Sequence, residues 1–124
     1  ICSNQALLML RILVYLICLG KCGLEEIAIQ NFQNAHYLKE GIKNLEKFSI
    51  INSKPTYNQF CVEFKLPNKN SIENLFTKFK KNDIIPPLLL SEYLPNRKNQ
   101  LIFCVTEMFK KTDLDLILNI MRKF

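Results

Sequence analysis

One histidine and five cysteines are the side chains most suited to acid–base, nucleophilic or metal chemistry, set among 17 basic and 11 acidic residues. His36 lies in Ala35-His36-Tyr37-Leu38, beside an apolar stripe of helical period. As a general base it needs a carboxylate to orient it and a nucleophile in reach. The sequence supplies no such trio, so a structural or surface role is expected. Cys2, Cys18, Cys22, Cys61 and Cys104 contain no C-x-x-C pair. Cys18 and Cys22 would share a helix face, but no second pair completes a tetrahedral zinc set. Three of the five sit in apolar runs, where free cysteine behaves as a small hydrophobe. A reducing cytoplasm is the simplest setting.

Neither a G-x-G-x-x-G phosphate loop nor a G-x-S-x-G elbow occurs. A Schiff-base lysine needs a cradle for its cofactor's phosphate, and no lysine here has that setting. Thr106-Glu107 follows the strongest strand candidate and is the most prominent polar feature at a strand end. A strand-to-helix loop that satisfies its own hydrogen bonds is the expectation there. No catalytic, cofactor-binding or metal-ligating residue is therefore assigned.

The formal charge of +6 is dispersed, with Lys39, Lys43, Lys47, Lys54, Lys65 and Lys69 spread out and only short pairs at Lys80-Lys81 and Lys110-Lys111. Nucleic-acid binding calls for a clustered basic face, so a solvated basic surface is expected instead. With 124 residues, 48% hydrophobic and 23% charged, the composition is that of one globular domain. At this length roughly two thirds of the unfolded surface can be buried, enough to fold without staples.

The elements follow from periodicity. Asn4 can cap a helix over the apolar run Ala6 to Leu19, with Gly20 placed to stop it and Gly20 to Gly23 forming a tight turn. That run is shorter than the ~20 residues of a membrane span and contains Arg11. It also lacks a basic lead-in, so a buried core helix is expected. Leu24, Ile27, Ala28, Ala35, Leu38, Ile42 and Leu45 stripe a second helix, with Lys39, Lys43 and Lys47 on its opposite side and Gly41 as a weak point. Phe48 to Ile51 is a strand candidate, and Asn52 to Pro55 a loop.

Phe60, Val62 and Phe64 alternate with polar neighbours, as in a strand buried on one face. Pro67 to Asn70 breaks this strand, and Asn70 with Glu73 forms a capping box for a helix striped by Ile72, Leu75, Phe76 and Phe79. Ile84-Ile85 is a short strand candidate, and Leu101 to Val105 a strand covered on both faces or central in its sheet. Thr112 caps the last helix, packed through Leu114, Ile117, Leu118 and Met121. The order α-α-β-β-α-β-α predicts a small two-layer α/β sandwich with an antiparallel or mixed sheet. Residues 1–124 form one domain.

Five stretches, in order, resemble the C-terminal region of the glycine cleavage system P-protein alpha subunit, the decarboxylating glycine dehydrogenase subunit 1 family. Ile1 to Leu7 is similar to its I-C-[ST]-N-Q-A-L segment, and Tyr15 to Leu24 to its Y-L-x-x-L-G-x-x-G-L pattern. Ala35-His36-Tyr37-Leu38 and Tyr57-Asn58-Gln59-Phe60 resemble A-H-Y-L and F-N-E-F. Cys104 to Met108, with Lys111, Asp113 and Asp115, resembles the closing C-V-T-E segment. Where the family has I-I-G-G-L-P-L-G-R-Y-Y-P, this chain has Ile84 to Pro95 with Pro86, Pro87 and Ser91 for glycines and Glu92 for arginine. Phe109 replaces another arginine. Proline cannot copy a positive-φ glycine, so the Pro86 to Leu94 loop takes a different path.

The resemblance implies the C-terminal small domain of a fold-type I pyridoxal phosphate enzyme, with the large domain lying before Ile1. It implies an enzyme that decarboxylates glycine and passes the aminomethyl group to the lipoyl arm of H-protein. Pyridoxal phosphate is expected on the partner beta subunit, not on these residues, and this segment is structural. Its apolar first helix is expected to pack against the large domain or the beta subunit. Neither nucleic acid nor membrane is an expected partner, and the compartment is cytoplasmic. The alternative reading is a stand-alone α/β protein-interaction module with a basic surface.

Overall fold

A computed structural model describes residues 5–51, 54–65 and 69–124. Helix α1 spans Gln5–Lys43 and bends at Gly20, whose φ of 61° and ψ of −172° are open to glycine alone at low cost. The expected tight turn at Gly20 to Gly23 is thus a bend, because one non-helical residue redirects the chain and the helix resumes at once. Residues 6–18, expected to be buried, are all exposed. The apolar run forms a helix as its composition dictates, but nothing in the described chain covers it. By length and composition α1 is also long enough and apolar enough to cross a membrane.

Beyond the bend, α1 joins the core through Ala35, Leu38 and Ile42, each 0% exposed. Helix α2 (Lys69–Lys81) adds Ile72, Leu75 and Phe79, and helix α3 (Lys111–Arg122) adds Leu114, Ile117, Leu118, Ile120 and Met121. Gly41 is a close approach rather than only a weak point, since a Cβ there would meet the Leu118 side chain at 2.6 Å. Lys39, expected on the polar side, is buried. Its long apolar stem lies along the core while the ammonium reaches the loop beyond β1.

Four strands, β1 (Phe48–Ile50), β2 (Gln59–Phe64), β3 (Leu88–Leu89) and β4 (Gln100–Cys104), form one antiparallel sheet in the order β1-β2-β4-β3. The register sets Phe48 opposite Phe64, Phe60 opposite Phe103 and Val62 opposite Leu101, so one face carries the apolar side chains toward the helices. Phe60 and Phe103 stack with centroids 5.7 Å apart. Strand β4 is central but covered on one face, with Ile102 half-buried and Cys104 exposed. The result is the two-layer α/β sandwich, with an antiparallel sheet.

Two boundaries differ from the sequence reading. Ile84-Ile85 is not a strand. Ile85 is 92% exposed, and the pairing begins at Leu88, after two prolines that have no N–H to give a ladder. Helix α3 is capped not by Thr112 but at Lys110, whose N–H donates to the Asp113 carboxylate at 2.9 Å. Helix α2 ends in a Schellman arrangement, with the Ile84 N–H donating to Phe79 O and the Asp83 N–H to Lys80 O, both at 3.1 Å. Asp83 takes the left-handed position with φ 56°. The cap expected of Asn4, the break at Pro67 and the side-chain contact expected of Asn70 fall outside the described residues.

Candidate functional site

The loop from β4 to α3 is the most heavily bonded polar feature outside the regular elements. Val105 is buried and donates its N–H to Asn58 O at 2.8 Å. The chain then leaves the sheet, and its peptide groups lose their ladder partners. Two asparagines on α1 replace them. Asn31 Oδ1 accepts from the Glu107 N–H at 2.6 Å, and Asn34 Nδ2 donates to Thr106 O and Phe109 O, each at 3.1 Å. The Thr106 hydroxyl accepts from the Met108 N–H at 3.3 Å. Asn31 Nδ2 donates to the Tyr57 hydroxyl at 3.0 Å, which ties the start of β2 to the same point.

Asn31 and Asn34 lie three apart and so share one helix face. Asn31 is 7% exposed. A buried amide without partners would cost stability, whereas here both its oxygen and its nitrogen are used. The expectation of a self-satisfied loop at Thr106-Glu107 holds only in part, because the bonds come largely from α1. Sequence reasoning missed both asparagines. The available signal was a gap in the stripe between Ala28 and Ala35, where an apolar residue was due and Asn31 stands.

His36 is exposed and stacks on Phe32, with ring centroids 6.0 Å apart and planes 5° from parallel. No hydrogen bond joins it to a carboxylate or a hydroxyl among the described residues, so the structure does not assemble an acid–base trio around it. Glu40, one turn on, pairs instead with Lys43 at 3.3 Å. Lys39 donates to Lys54 O at 3.0 Å and toward Thr56 Oγ1 at 3.5 Å. Next to His36, the Tyr37 hydroxyl donates to Asp115 Oδ1 at 2.5 Å, and Lys111 lies 5.7 Å from the Tyr37 ring centroid. The carboxylate holds the phenol proton, so the Tyr37 pKa lies above its ordinary value, chiefly through that hydrogen bond.

The cysteines do not come together. Cys18 and Cys22 are exposed on either side of the Gly20 bend, Cys104 is exposed on β4, and Cys61 is half-buried on the outer face of β2. They are surface thiols rather than core hydrophobes. Burial pushes the Cys61 thiol up, which disfavours the reactive thiolate. Cys2 lies outside the described residues. Among the described residues no three His, Cys, Asp or Glu side chains form a metal-holding group.

The arrangement is thus a scaffold with one bonded loop. Its largest unexplained feature is the apolar face before Gly20, where every large apolar side chain from Leu7 to Ile17 is between 42% and 70% exposed. A contiguous apolar face of that kind marks a surface for contact with protein or membrane.

Comparison with known proteins gives that surface a context. Residues 1–121 match the sequence profile of the family described as glycine cleavage system P-protein. The chain is 33% identical over 123 residues to a probable glycine dehydrogenase (decarboxylating) subunit 1 of Protochlamydia amoebophila, covering 99% of this chain and 27% of that protein. Among solved structures it is similar to a glycine decarboxylase (P-protein) of the glycine cleavage system in inhibitor-bound form. The TM-score is 0.80 at 24% identity, over 99% of this chain and 27% of that one. It is similar in fold to a C-DES variant solved with glycine covalently linked to its PLP cofactor, with a TM-score of 0.65 at 13% identity, over 81% of this chain and 24% of that one. The chain spans about a quarter of the length of the curated relatives it matches.

Proposed function

The chain belongs to the glycine cleavage system P-protein family, and we propose that it works as the C-terminal small domain of a glycine dehydrogenase (decarboxylating) subunit 1. In this reading the complete subunit takes part in decarboxylating glycine and passing the aminomethyl group to the lipoyl arm of H-protein, together with a beta subunit, in the cytoplasm. The observation that carries it is the pairing of a fold shared over 99% of the chain with a P-protein and an apolar half-helix that this chain leaves uncovered. The remaining three quarters of such a subunit supplies the cover. A stand-alone module would need to bury the Leu7 to Ile17 face within its own fold, which these residues do not do. The face also lies inside the matched family region, which favours a protein cover over lipid.

Pyridoxal phosphate belongs to enzymes of this fold, as the cofactor in the similar C-DES structure illustrates. The residues described here do not make a seat for it. Lys39, the one buried lysine among the described residues, is bonded to the Lys54 carbonyl and faces Thr56, and no glycine-rich phosphate loop exists. On the proposed reading the catalytic groups and cofactor belong to the rest of the assembly, with the cofactor on the beta subunit. This domain positions the loops that meet them.

Deleting residues 1–124 from the complete subunit, then assaying exchange of the glycine carboxyl with labelled bicarbonate in the presence of beta subunit and H-protein, tests this role. Activity should fall to background, and returning the segment in cis should restore it. Full exchange without the segment would overturn the proposal.

A further inference from the structure

A second exposed apolar surface joins the end of α2 to the start of α3. Ile85 is 92% exposed, Met108 79% and Leu116 38%, and with Ile84 and Phe109 they line a groove of about 400 Å³. Ile84, Ile85 and Phe109 also line the adjoining cleft of about 560 Å³, which runs past Pro86 and Pro87 to β4. Pro86, Pro87 and Phe109 replace residues of the family motifs, so this surface is not the one those motifs would make. Its apolar side chains stand on fixed backbone. The Ile84 N–H closes the end of α2 at 3.1 Å, and two prolines with locked φ follow Ile85. Across the groove, the Met108 N–H donates to the Thr106 hydroxyl and Phe109 O accepts from Asn34 Nδ2. A partner therefore has little loop ordering to oppose it. The charge here is opposite to that of the chain. The groove's charged residues are Asp83 and Asp113, and among the described residues no lysine or arginine lines it or the adjoining cleft, in a chain of formal charge +6. Neither carboxylate is ion-paired among the described residues, and Asp113 accepts only the Lys110 N–H.

We propose that this groove docks a basic amphipathic segment of a partner protein, its apolar side chains against Ile85, Met108 and Leu116. Asp83 belongs to the wall from α2 and Asp113 to the wall from α3, so each carboxylate meets its own lysine or arginine on one flank of the segment. Apolar burial supplies the affinity and the carboxylates the choice of partner. An acidic segment or an anionic lipid surface is disfavoured by the same two charges. The inference stands on this surface alone and does not depend on the role proposed for the subunit.

The probe is a fluorescent peptide of leucine and lysine, its leucines spaced along one helix face, titrated by anisotropy with the purified polypeptide that carries this chain. The control peptide has glutamate for every lysine. Saturable binding is expected for the lysine peptide, and the glutamate peptide should bind at least about tenfold more weakly. Ile85→Ser with Met108→Ser, both exposed positions, should weaken the lysine peptide at least about tenfold while leaving the unfolding midpoint in place. Asp83→Asn keeps a residue that tolerates the left-handed backbone. It should weaken the lysine peptide about twofold to fivefold, with a shallower salt dependence. These variants spare the apolar half of α1, so a peptide seated there binds them all equally and overturns the proposal. Equal affinity for the glutamate peptide overturns it as well. So does a lack of saturable binding, the outcome if a second copy or the rest of the polypeptide covers the groove.

Discussion

The two halves of α1 have similar helical backbones and opposite fates. Before Gly20 the helix is apolar on nearly every side and exposed from Gln5 to Cys18. After it, the buried positions fall at Asn31, Ala35, Leu38, Lys39 and Ile42, a stripe at helical spacing. A striped helix names the one face that its own domain covers. A helix without a stripe needs cover on several sides, and a three-helix, four-stranded domain has only its sheet face to offer. The apolar run was legible as helix, but where its partner lies was not written in the run itself.

The sharpest way to break this contrast is to truncate one leucine in each half. Leu38 is fully buried, and Leu38→Ala should cost about 2–5 kcal/mol, the range for opening a cavity in a packed core. Leu13 is 52% exposed, and Leu13→Ala should change the stability of the chain by less than about 0.5 kcal/mol. Urea unfolding of both variants decides it. A comparable loss at both positions would mean that the first half packs on this domain after all.

A buried polar residue sharpens the contrast from the other side. Asn31→Ala strands the part-buried Glu107 N–H and leaves the Tyr57 hydroxyl, on a residue 51% exposed, to water. The expected cost is about 1–3 kcal/mol for an unmet buried donor. Faster amide exchange at Glu107 should accompany it, with exchange in the β2–β4 pairing unchanged. If protection at Glu107 survives the substitution, the asparagine bond is not what holds the loop.

Much of the sandwich was readable because period-two alternation in Phe60 to Phe64 and helical stripes in α2 and α3 report faces buried within this chain. The family was legible in short ordered motifs, and the profile match over residues 1–121 agrees with it. Other features were hidden for separate physical reasons. Asn31 and Asn34 look like surface residues, since nothing in a polar side chain announces a distant peptide that needs it. Lys39 has an apolar stem that packs and an ammonium that bonds the Lys54 carbonyl, so its charged type predicts neither its burial nor its partner. Strand β3 begins three residues after the expected Ile84-Ile85 because the two intervening prolines cannot donate. At Asp83 the helix ends on a left-handed residue that is not glycine, which removes the usual sequence mark of a C-cap.

The joint between the halves gives the smallest effect in the chain and the most discriminating one. Gly20 occupies a backbone region essentially reserved for glycine, yet a Cβ there would meet nothing within 4 Å. Substitution therefore acts only through the backbone. In the chain alone, no tertiary contact holds the first half at its angle, so Gly20→Ala can relax by straightening the helix. Alanine then gains up to about 1 kcal/mol of helix propensity over glycine, and the unfolding midpoint should stay level or rise slightly. Within the complete subunit the covered half cannot swing, the bend is enforced, and the same substitution should cost about 1–3 kcal/mol. Measuring the variant in both settings reads the cover directly. A loss of the same size in the chain alone would show that the bend is held by this domain's own contacts, and the two halves would then be one unit.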